Sequence, residues 1–502
     1  TERNDDLRII WDTDEVKVVP MEIDQMRVQL GNGQAYFAST VTIGEGQAVI
    51  PLGQALAAIK QKQKYVQLQD GSWRRLSGRL CKRLSYLPES NGDQFLLAAP
   101  VIEEWEKAGI DIVGSDHWRK VRDEINRSRT WSPKQPAALK AKLRPYQLSG
   151  LTWMRRLARW APGCVLADEM GLGKTVQTIG LLAARAAAGP ALVVAPTSVV
   201  FNWEAEIARF SPSLRVHVVR SHGSLEQLDV LGPKDVVLTT WTSLCVHATR
   251  FKGLHWHTLV LDEAQAIKNY RTRRACTVLQ LTRDFTVALT GTPMENRTIE
   301  LWSLMRAVVP GLLGNKEDFF RTFIQPIEAR GCNKALRHLG SQITPFVLRR
   351  LKAEVATELP EKRESVVEIQ LCPSTRRRYE GLREASRQVL AGKDLKAKQQ
   401  LLAALTRLRQ LACDRRLVDP DFTAPGAKIE ALRVIVRELA ETGQQVLVFS
   451  QFTSLLDLAR HSLEGEGHRC GQIDGRTPAK SRKSVIRQFE DGEVQVLLLS
   501  LR

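Results

Sequence analysis

Asp168-Glu169-Met170-Gly171-Leu172-Gly173-Lys174-Thr175 is the segment on which the interpretation of the whole chain depends. It follows a short apolar run at residues 164–167, and a helix is predicted after it, from Val176 to Ala188. In a strand, loop and helix of this kind, backbone N–H groups and the helix N-terminus face phosphate groups, a lysine adds positive charge and a hydroxyl holds magnesium. The general pattern has glycine where this chain has Asp168, so the match is imperfect and on its own only favours nucleotide binding.

The overall charge of the chain is strongly basic. Its 502 residues carry a formal net charge of +18, and the sequence pI is about 9.7. This excess of positive charge indicates a polyanionic partner, most simply nucleic acid. The alternative is a generally basic protein that has no such partner. The length allows about three to four domains.

The eight cysteines are scattered, and none lies in a Cys-x-x-Cys pair, so the sequence predicts no zinc site and favours a reducing compartment. No apolar run is long enough to span a bilayer, so no membrane association is expected. The chain starts with Thr1 and ends at Arg502, close after a predicted strand. We therefore expect it to be a fragment of a longer protein.

Four regions differ in their sequence patterns. Residues 1–130 contain hairpin-type turns and a predicted helix from Pro51 to Lys62, and we expect a small mixed accessory domain of unknown role. Residues 138–296 alternate short apolar runs with helical patterns, which predicts a parallel sheet. Residues 297–427 are basic and mostly helical, and residues 428–502 begin a second α/β pattern.

The predicted fold class is therefore α/β, with two parallel-sheet lobes, helical insertions between them and the accessory domain in front. The turns of the accessory domain are predicted at 29–33 and 69–72. In the lobes, the predicted strands are 191–194, 235–239, 258–261, 286–289, 445–449 and 494–499, and the predicted helices of the second lobe are 428–442 and 455–466.

A second candidate site is the run from Thr258 to Gln265, in which an apolar strand ends in Asp262-Glu263. Ligands of open α/β folds bind at the carboxyl edge of the sheet, where these two carboxylates are expected. Beside a phosphate loop, Asp262 would hold magnesium and Glu263 would orient the attacking water. A strand ending in Asp-Glu is usually only a solvated loop, and the phosphate loop upstream in the same lobe reverses that judgement.

The order of these segments resembles the Swi/Snf-type DNA translocases of helicase superfamily two, over roughly Leu143 to Leu501. Leu143-Arg144-Pro145-Tyr146-Gln147 resembles the family's adenine-sensing motif, and residues 168–175 are its own form of the phosphate loop. Asp262-Glu263-Ala264-Gln265, followed by Ile267-Lys268-Asn269, resembles its Asp-Glu-Ala-His box. Gln265 replaces the histidine, which would weaken the coupling between hydrolysis and movement.

Later segments resemble Swi/Snf-type proteins rather than RNA helicases. They are Thr290-Gly291-Thr292-Pro293-Met294-Glu295-Asn296, Glu300-Leu301-Trp302-Ser303-Leu304 and Leu348-Arg349-Arg350-Leu351-Lys352. In the family the last of these braces the link between the lobes. Residues 446–452 and 473–475 resemble the opening motifs of the second lobe, so that each lobe is expected to be RecA-like.

The resemblance implies ATP and Mg²⁺ as cofactors and assigns three sets of residues. The catalytic residues would be Lys174, Asp262 and Glu263, and the metal ligands Thr175 and Asp262. The nucleotide would contact Arg144, Gln147, Asp168, Gly171, Leu172, Gly173, Lys174 and Thr175. The DNA backbone would contact Ser198, Asn202, Trp203, Thr240, Ser450 and Gln451.

The function implied by the resemblance is an ATP-dependent translocase on double-stranded DNA, a monomeric motor that remodels or displaces DNA-bound proteins. The alternatives are a strand-separating helicase and a DNA-binding scaffold with a vestigial nucleotide site. The family's second lobe continues to a pair of arginines that complete the ATP site, so we expect this chain alone to hydrolyse ATP poorly. A bacterial, cytoplasmic and nucleoid-associated protein is favoured over a eukaryotic, nuclear one.

Replacing Lys174 tests the phosphate loop. Lys174→Ala removes the charge that holds the terminal phosphates, so ATP hydrolysis should be abolished while the fold is retained. Turnover and circular dichroism of the variant and the wild type measure the two effects. Normal turnover by the variant would refute the assignment of this segment.

Overall fold

The computed structural model describes most of the chain beyond residue 115 and shorter segments before it. The described residues are 18–21, 26–30, 36–43, 50–51, 54–55, 58–59, 63–67, 73–78, 80–81, 94–98, 102, 106, 110–113, 116–219, 222–291, 297–356, 364–390 and 395–501. They divide into two compact units, residues 1–360 and 361–502. Among these described residues, no helix has both the length and the apolar composition needed to cross a membrane.

The accessory region contains two small sheets and one long helix. One sheet has the order β1-β6-β5, and the other has the order β4-β3-β2-β8 with β7 paired to β3. The elements are β1 (Val18–Met21), β2 (Met26–Leu30), β3 (Tyr36–Ile43), β4 (Ile50–Pro51), β5 (Tyr65–Gln67), β6 (Trp73–Leu76), β7 (Gln94–Ala98), β8 (Asp111–Val113) and α1 (Asp116–Thr130).

Two sequence expectations can be compared with these sheets. Strands β2 and β3 pair antiparallel, as do β5 and β6, which agrees with the predicted hairpins. Of the predicted turns, residues 29 and 30 belong to β2, and residues 31–33 and 69–72 lie outside the described residues. The helix predicted from Pro51 is wrong at its start, because Pro51 pairs with Thr42 in a strand. β4 lies at the end of its sheet, where a residue without an N–H is tolerated.

A linker segment joins the accessory region to the first lobe. Trp131 follows α1, and the guanidinium groups of Arg155 and Arg159 lie 5.0 Å and 4.7 Å from the centre of its ring. Arg156 Nε also donates a hydrogen bond of 2.8 Å to the Trp131 carbonyl. Two arginines of α2 (Pro145–Leu157) and Arg159, just after that helix, therefore hold the linker.

The first lobe is built on a seven-stranded sheet that is parallel throughout, in the order β11-β12-β10-β13-β14-β9-β15. Helices cover both faces of such a sheet, so its inner strands read as continuous apolar runs. All residues of β9 and β10 are buried. The elements up to the last long strand are α2 (Pro145–Leu157), β9 (Gly163–Leu166), α3 (Lys174–Arg185), β10 (Ala191–Ala195), α4 (Val200–Phe210), β11 (Arg215–Val219), β12 (Asp235–Thr240), α5 (Trp241–Val246), α6 (Ala248–Lys252), β13 (His255–Leu261), α7 (Arg273–Leu279) and β14 (Thr282–Leu289).

The sheet continues beyond residue 296, where the sequence placed the end of the first lobe. The elements that follow are α8 (Thr298–Val308), α9 (Lys316–Phe319), a π-helix (Phe320–Ala329), α10 (Asn333–Ile343), β15 (Val347–Leu348) and α11 (Lys352–Val355). β15 pairs with β9, and Leu301, Trp302 and Met305 of α8 belong to the same core as the strands. Residues 297–356 are therefore largely part of the first unit.

The second unit contains a smaller parallel sheet in the order β16-β18-β17. Val436, Leu456, Leu463 and Val496 form part of its buried core. Its elements are α12 (Pro373–Leu390), α13 (Leu395–Cys413), α14 (Ala427–Glu441), β16 (Val446–Ser450), α15 (Thr453–Glu464), β17 (Cys470–Ile473), α16 (Ala479–Glu490) and β18 (Val496–Ser500). The α/β fold class predicted from the sequence is confirmed.

A half-buried arginine ties the first sheet to α8. The Arg283 guanidinium donates hydrogen bonds to the carbonyls of Val278, Leu281 and Ala307 at 3.0, 2.8 and 2.7 Å. Burial lowers the pKa of Arg283 to about 10, so the group is charged at neutral pH. One cation therefore satisfies three carbonyl groups from three parts of the lobe.

Arg283→Ala should lower the free energy of unfolding by about 3 kcal/mol, because it leaves these carbonyl groups without their donor. Chemical denaturation measures the change. The matched control is Arg274→Ala at an exposed position of α7, which should change stability by less than about 0.5 kcal/mol. Equal stability of the two variants would contradict the structural role of Arg283.

Candidate nucleotide-binding site

The phosphate loop lies between the end of β9 and the start of α3. Gly171 and Gly173 have φ angles of 88° and 73°, the left-handed conformation that glycine adopts without strain. A Cβ atom on Gly173 would lie 2.5 Å from Gln147 Nε2, so the loop also needs glycine for space. Lys174 and Thr175 open α3, with the helix N-terminus facing the loop.

The predicted adenine-sensing motif packs against this loop. Gln147 Nε2 donates a 3.3 Å hydrogen bond to the Leu172 carbonyl, and its Oε1 accepts one of 3.0 Å from the Arg144 N–H. These contacts bring Gln147 to the loop, and its role in reading adenine stays a prediction. The Arg144 side chain is exposed.

Lys174 lies among carboxylates and carbonyl groups. Its Nζ donates hydrogen bonds to the carbonyls of Asp168 and Glu169, at 2.8 and 3.4 Å. Burial lowers the pKa of Lys174, and the charges of Glu263, Asp168, Asp262 and Glu169 oppose that shift. The ammonium group therefore remains close to both carboxylates of the Asp-Glu pair.

Asp262 directly follows β13, and both of its carboxylate oxygens accept a hydrogen bond. Trp203 Nε1 donates to Oδ2 at 2.8 Å, and the Glu263 N–H donates to Oδ1 at 2.9 Å. Burial raises the pKa of Asp262, which the bond from Trp203 opposes. The Asp262 backbone N–H is bound to the Val194 carbonyl of β10 at 2.8 Å, which fixes it to the sheet.

Glu263 and Gln265 form a short chain of hydrogen bonds with Thr290, at the end of β14. Gln265 Nε2 donates to Glu263 Oε2 at 2.6 Å, and Thr290 Oγ1 donates to Gln265 Oε1 at 3.1 Å. Glu263 has a φ angle of 47°, a conformation that is unusual for a residue other than glycine. The glutamine that replaces histidine thus connects two predicted motifs; Thr292 to Asn296 of the second lie outside the described residues.

The residues present suit a magnesium ion. Thr175 and Asp262 offer hydroxyl and carboxylate oxygens, the donors that Mg²⁺ prefers. Each Asp262 oxygen accepts one hydrogen bond and keeps a lone pair. In the described part of the chain, no group of three or more His, Cys, Asp or Glu side chains could hold a metal. An ion here would therefore depend on phosphate oxygens as well, as is usual for Mg²⁺ in nucleotide sites.

Asp168 does not lie where the sequence placed it, in contact with the nucleotide. Its side chain is 0% exposed, and Arg350 binds both carboxylate oxygens, with a 2.9 Å bond from Nε to Oδ1. Gln177 Nε2 lies 3.4 Å from Oδ2. A carboxylate enclosed in this way is a structural anchor for the loop, because it has no free face for a ligand.

Arg350 reaches the phosphate loop from a distant part of the chain. Besides Asp168, it donates to the Tyr146 carbonyl and, at 2.9 Å, to Gln177 Oε1. A Cβ atom on Gly150 would lie 2.7 Å from Arg350 Nη2, so glycine makes room for the guanidinium. Arg350 therefore connects α2, the loop and α3.

The backbone on both sides of Arg350 is also hydrogen-bonded to the phosphate loop. The Ala167 N–H donates to the Leu348 carbonyl at 2.7 Å, and the Glu169 N–H donates to the Arg350 carbonyl at 3.0 Å. In return, the Lys352 N–H donates to Glu169 Oε2 at 2.7 Å. The sequence assigned this segment to the link between the lobes, whereas within the first unit it braces the phosphate loop.

Two of the predicted DNA-contacting residues in the first lobe are buried. Trp203 is 2% exposed and directed at Asp262, and Thr240 is 8% exposed and caps α5 by accepting a 3.0 Å bond from the Ser243 N–H. Neither side chain is available to DNA, so neither residue can contact DNA through its side chain. Ser198 and Asn202 are exposed after β10, as a backbone contact requires.

The predicted DNA contacts of the second unit are half-buried. Gln451 Oε1 accepts a 2.8 Å hydrogen bond from Arg409 Nη2, and Ser450 Oγ accepts one of 3.1 Å from the Phe452 N–H. Ser450 is the last residue of β16, and Gln451 follows it. Their assignment to DNA stays a prediction.

Three contributors to the site escaped the sequence reasoning: Gln177, the bracing role of Arg350, and the bond from Trp203 to Asp262. Arg350 and Asp168 are 182 residues apart, and no local pattern pairs residues over that distance. For Trp203, the sequence offers one indication that the side chain is buried. Val200, Trp203 and Ile207 have the spacing of one helix face, and that face is the buried one.

Comparison with known proteins agrees with this geometry. Residues 146–417 match the family described as "SNF2-related domain", and residues 427–502 match "Helicase conserved C-terminal domain". The first match covers more than half of the chain. The fold and site are those of an ATPase of helicase superfamily two, and the chain belongs to the SNF2-related family, which confirms the resemblance seen in the sequence.

Curated relatives come from several kingdoms. The "ISWI chromatin-remodeling complex ATPase CHR17" of Arabidopsis thaliana is 33% identical over 392 residues, which are 73% of this chain and 36% of that protein. An "Uncharacterized ATP-dependent helicase" of Mycoplasma pneumoniae is 32% identical over 367 residues, 71% of this chain and 35% of that protein. The chain thus spans about a third of the length of the relatives it matches.

A solved structure is also similar. It is the "Sulfolobus solfataricus SWI2/SNF2 ATPase core in complex with dsDNA", with 33% sequence identity and a TM-score of 0.44. The similarity covers 73% of this chain and 79% of that chain.

Arg350→Lys tests the brace. Lysine keeps the charge but lacks the planar group that binds Asp168, Gln177 and the Tyr146 carbonyl together. A less ordered loop should weaken binding of a fluorescent ADP analogue about tenfold, which corresponds to about 1.4 kcal/mol. Fluorescence titration measures the affinity, and thermal unfolding should show a lower midpoint.

The matched control is Arg349→Lys at the neighbouring exposed position. It should bind the analogue as tightly as the wild type. Equal weakening by both substitutions would contradict the bracing role, because both keep the charge and only Arg350 has contacts with the phosphate loop.

Proposed function

We propose that this chain is the ATP-hydrolysing motor of a protein that translocates on double-stranded DNA. The observation that carries the proposal is the arrangement at the carboxyl edge of the first sheet. β13, β14 and β9 are neighbours in the sheet, so the Asp-Glu pair, Thr290 and the phosphate loop follow one another along that edge.

Each site residue has a role that fits its surroundings. Lys174 binds the terminal phosphates, and its release from the Asp168 carbonyl would accompany their entry. Glu263, held by Gln265, orients the attacking water, and Gln147 contacts the adenine ring. Thr175 and Asp262 would hold magnesium, which would neutralise charge on the phosphates when it is bound.

Gln265 connects the ATP site with the segment that follows β14. Its amide binds the water-orienting Glu263 on one side and Thr290 on the other. An amide donates and accepts at once in a single protonation state, as a neutral histidine at this position would. We therefore infer that coupling between hydrolysis and movement is retained in this chain, although the sequence suggested that it was weakened.

DNA binding would occur through the phosphate backbone. Ser198 and Asn202 are exposed at the same edge of the sheet, and the net charge of +18 favours a polyanion. Backbone contacts carry little sequence information, so binding should show a weak sequence preference and a steep salt dependence. A motor of this kind would act on DNA-bound proteins, in a bacterial nucleoid or in a nucleus.

The decisive experiment is ATP turnover by the chain, and by a longer version that extends the second lobe, with and without duplex DNA. Duplex DNA should raise turnover several-fold and more than single-stranded DNA or RNA does. Glu263→Gln is the control for contaminating ATPases, because it should bind ATP and fail to hydrolyse it. Turnover that no nucleic acid stimulates in either version would refute the proposal.

A tailed duplex distinguishes translocation from strand separation. A translocase should hydrolyse ATP on this substrate and displace a bound protein without releasing a strand. Release of the strand, at a rate that depends on ATP, would favour a helicase. Tight DNA binding without hydrolysis in either version would favour a scaffold.

A further inference from the structure

Trp203 connects the start of α4, where DNA is proposed to bind, with Asp262, the proposed magnesium ligand. It lies in the first turn of α4, and its indole N–H donates the 2.8 Å bond to Asp262 Oδ2. An indole N–H only donates, so it accepts nothing in exchange and orients the oxygen it binds. The orientation of the Asp262 carboxylate therefore depends on the position of α4.

The start of α4 is also where DNA would be contacted. Ser198 lies in the turn before the helix, and Asn202 and Trp203 are adjacent within it. The N–H groups of Asn202 and Trp203 both bind the Val199 carbonyl, at 3.0 and 3.1 Å. The two side chains diverge because successive helix residues differ by about 100° in direction. One faces solvent, the other Asp262, and a shift of this turn moves both.

The backbone of Asp262 is fixed independently of α4. Its N–H is bound to the Val194 carbonyl in the sheet, and its carbonyl accepts a 3.1 Å bond from Trp241 Nε1. Only the carboxylate of Asp262 is bound to α4. Displacement of this helix would thus rotate the carboxylate while the strand stays in place.

We propose that Trp203 is a positioning residue through which DNA contact at the start of α4 sets the orientation of the Asp262 carboxylate towards magnesium. The inference rests on the proposed function, which it extends by naming how DNA regulates the ATP site. Coupling of this kind is reciprocal: DNA raises the affinity for magnesium and nucleotide, and these raise the affinity for DNA by the same factor.

The wild-type chain supplies the first test. Binding of a fluorescent, non-hydrolysable ATP analogue is titrated with Mg²⁺, with and without duplex DNA. DNA should lower the Mg²⁺ concentration at half-saturation, and the Mg²⁺-bound analogue should tighten DNA binding by an equal factor. An unchanged half-saturation would overturn the proposal, whatever the variants do.

Two tryptophan variants supply the second test. Trp203→Phe keeps the apolar ring and removes the donor to the Asp262 carboxylate, whereas Trp241→Phe removes the donor to the Asp262 carbonyl. Loss of a partner that orients a metal ligand commonly costs 10–100-fold in metal affinity, so Trp203→Phe should raise the half-saturating Mg²⁺ concentration at least about tenfold. DNA should no longer change it. Trp241→Phe should keep the DNA effect.

The outcomes separate this proposal from the proposed function. A Trp203→Phe variant that is folded by circular dichroism and still responds to DNA would overturn the coupling. DNA that stimulates turnover of the wild type without changing its Mg²⁺ response would overturn only the role of Trp203. A Mg²⁺ response to DNA without stimulated turnover would support Trp203 and refute the motor.

Discussion

The buried ion pair between Asp168 and Arg350 is the interaction on which the nucleotide site depends. Burying both charges costs several kcal/mol each, and the pair offsets that cost only because further hydrogen bonds satisfy the guanidinium. Gln177 and the Tyr146 carbonyl provide those bonds. The same group therefore fixes the loop, α2 and α3 relative to one another. A hydrophobic replacement could match the pair in stability alone, so we infer that its role is to specify a single loop conformation.

Much of the fold could be predicted because parallel strands buried on both faces leave an unmistakable apolar pattern. The strand predicted at 235–239 is β12, Asp235–Thr240, and the helix predicted at 428–442 is α14, Ala427–Glu441. β15 could not be predicted, since two residues carry no periodicity and its partner β9 is far away in sequence. Pro51 was misassigned because proline suits a helix start and an edge strand equally well.

The sequence predicted those site residues that belong to a short motif. It missed those whose role depends on the direction in which the side chain points. The phosphate loop and the Asp-Glu pair can be recognised from their residue types and spacing. Asn202 and Trp203 are neighbours in sequence, yet one faces solvent and the other is buried against Asp262. Assignment by resemblance to a family motif gives both residues the same role, contact with the DNA backbone. Only the packing of α4 on the sheet shows that the tryptophan serves the carboxylate.

The distance in sequence between the phosphate loop and its arginine also affects how the chain is made. A ribosome that adds 5–20 residues per second needs roughly 9–36 s to pass from Asp168 to Arg350, across the 182 residues between them. During that time the nascent loop has no buried cation beside Asp168, and the edge of β9 that β15 later covers is open. A newborn chain thus acquires a braced phosphate loop only when Arg350 has emerged, so full affinity for nucleotide should follow completion of the whole lobe.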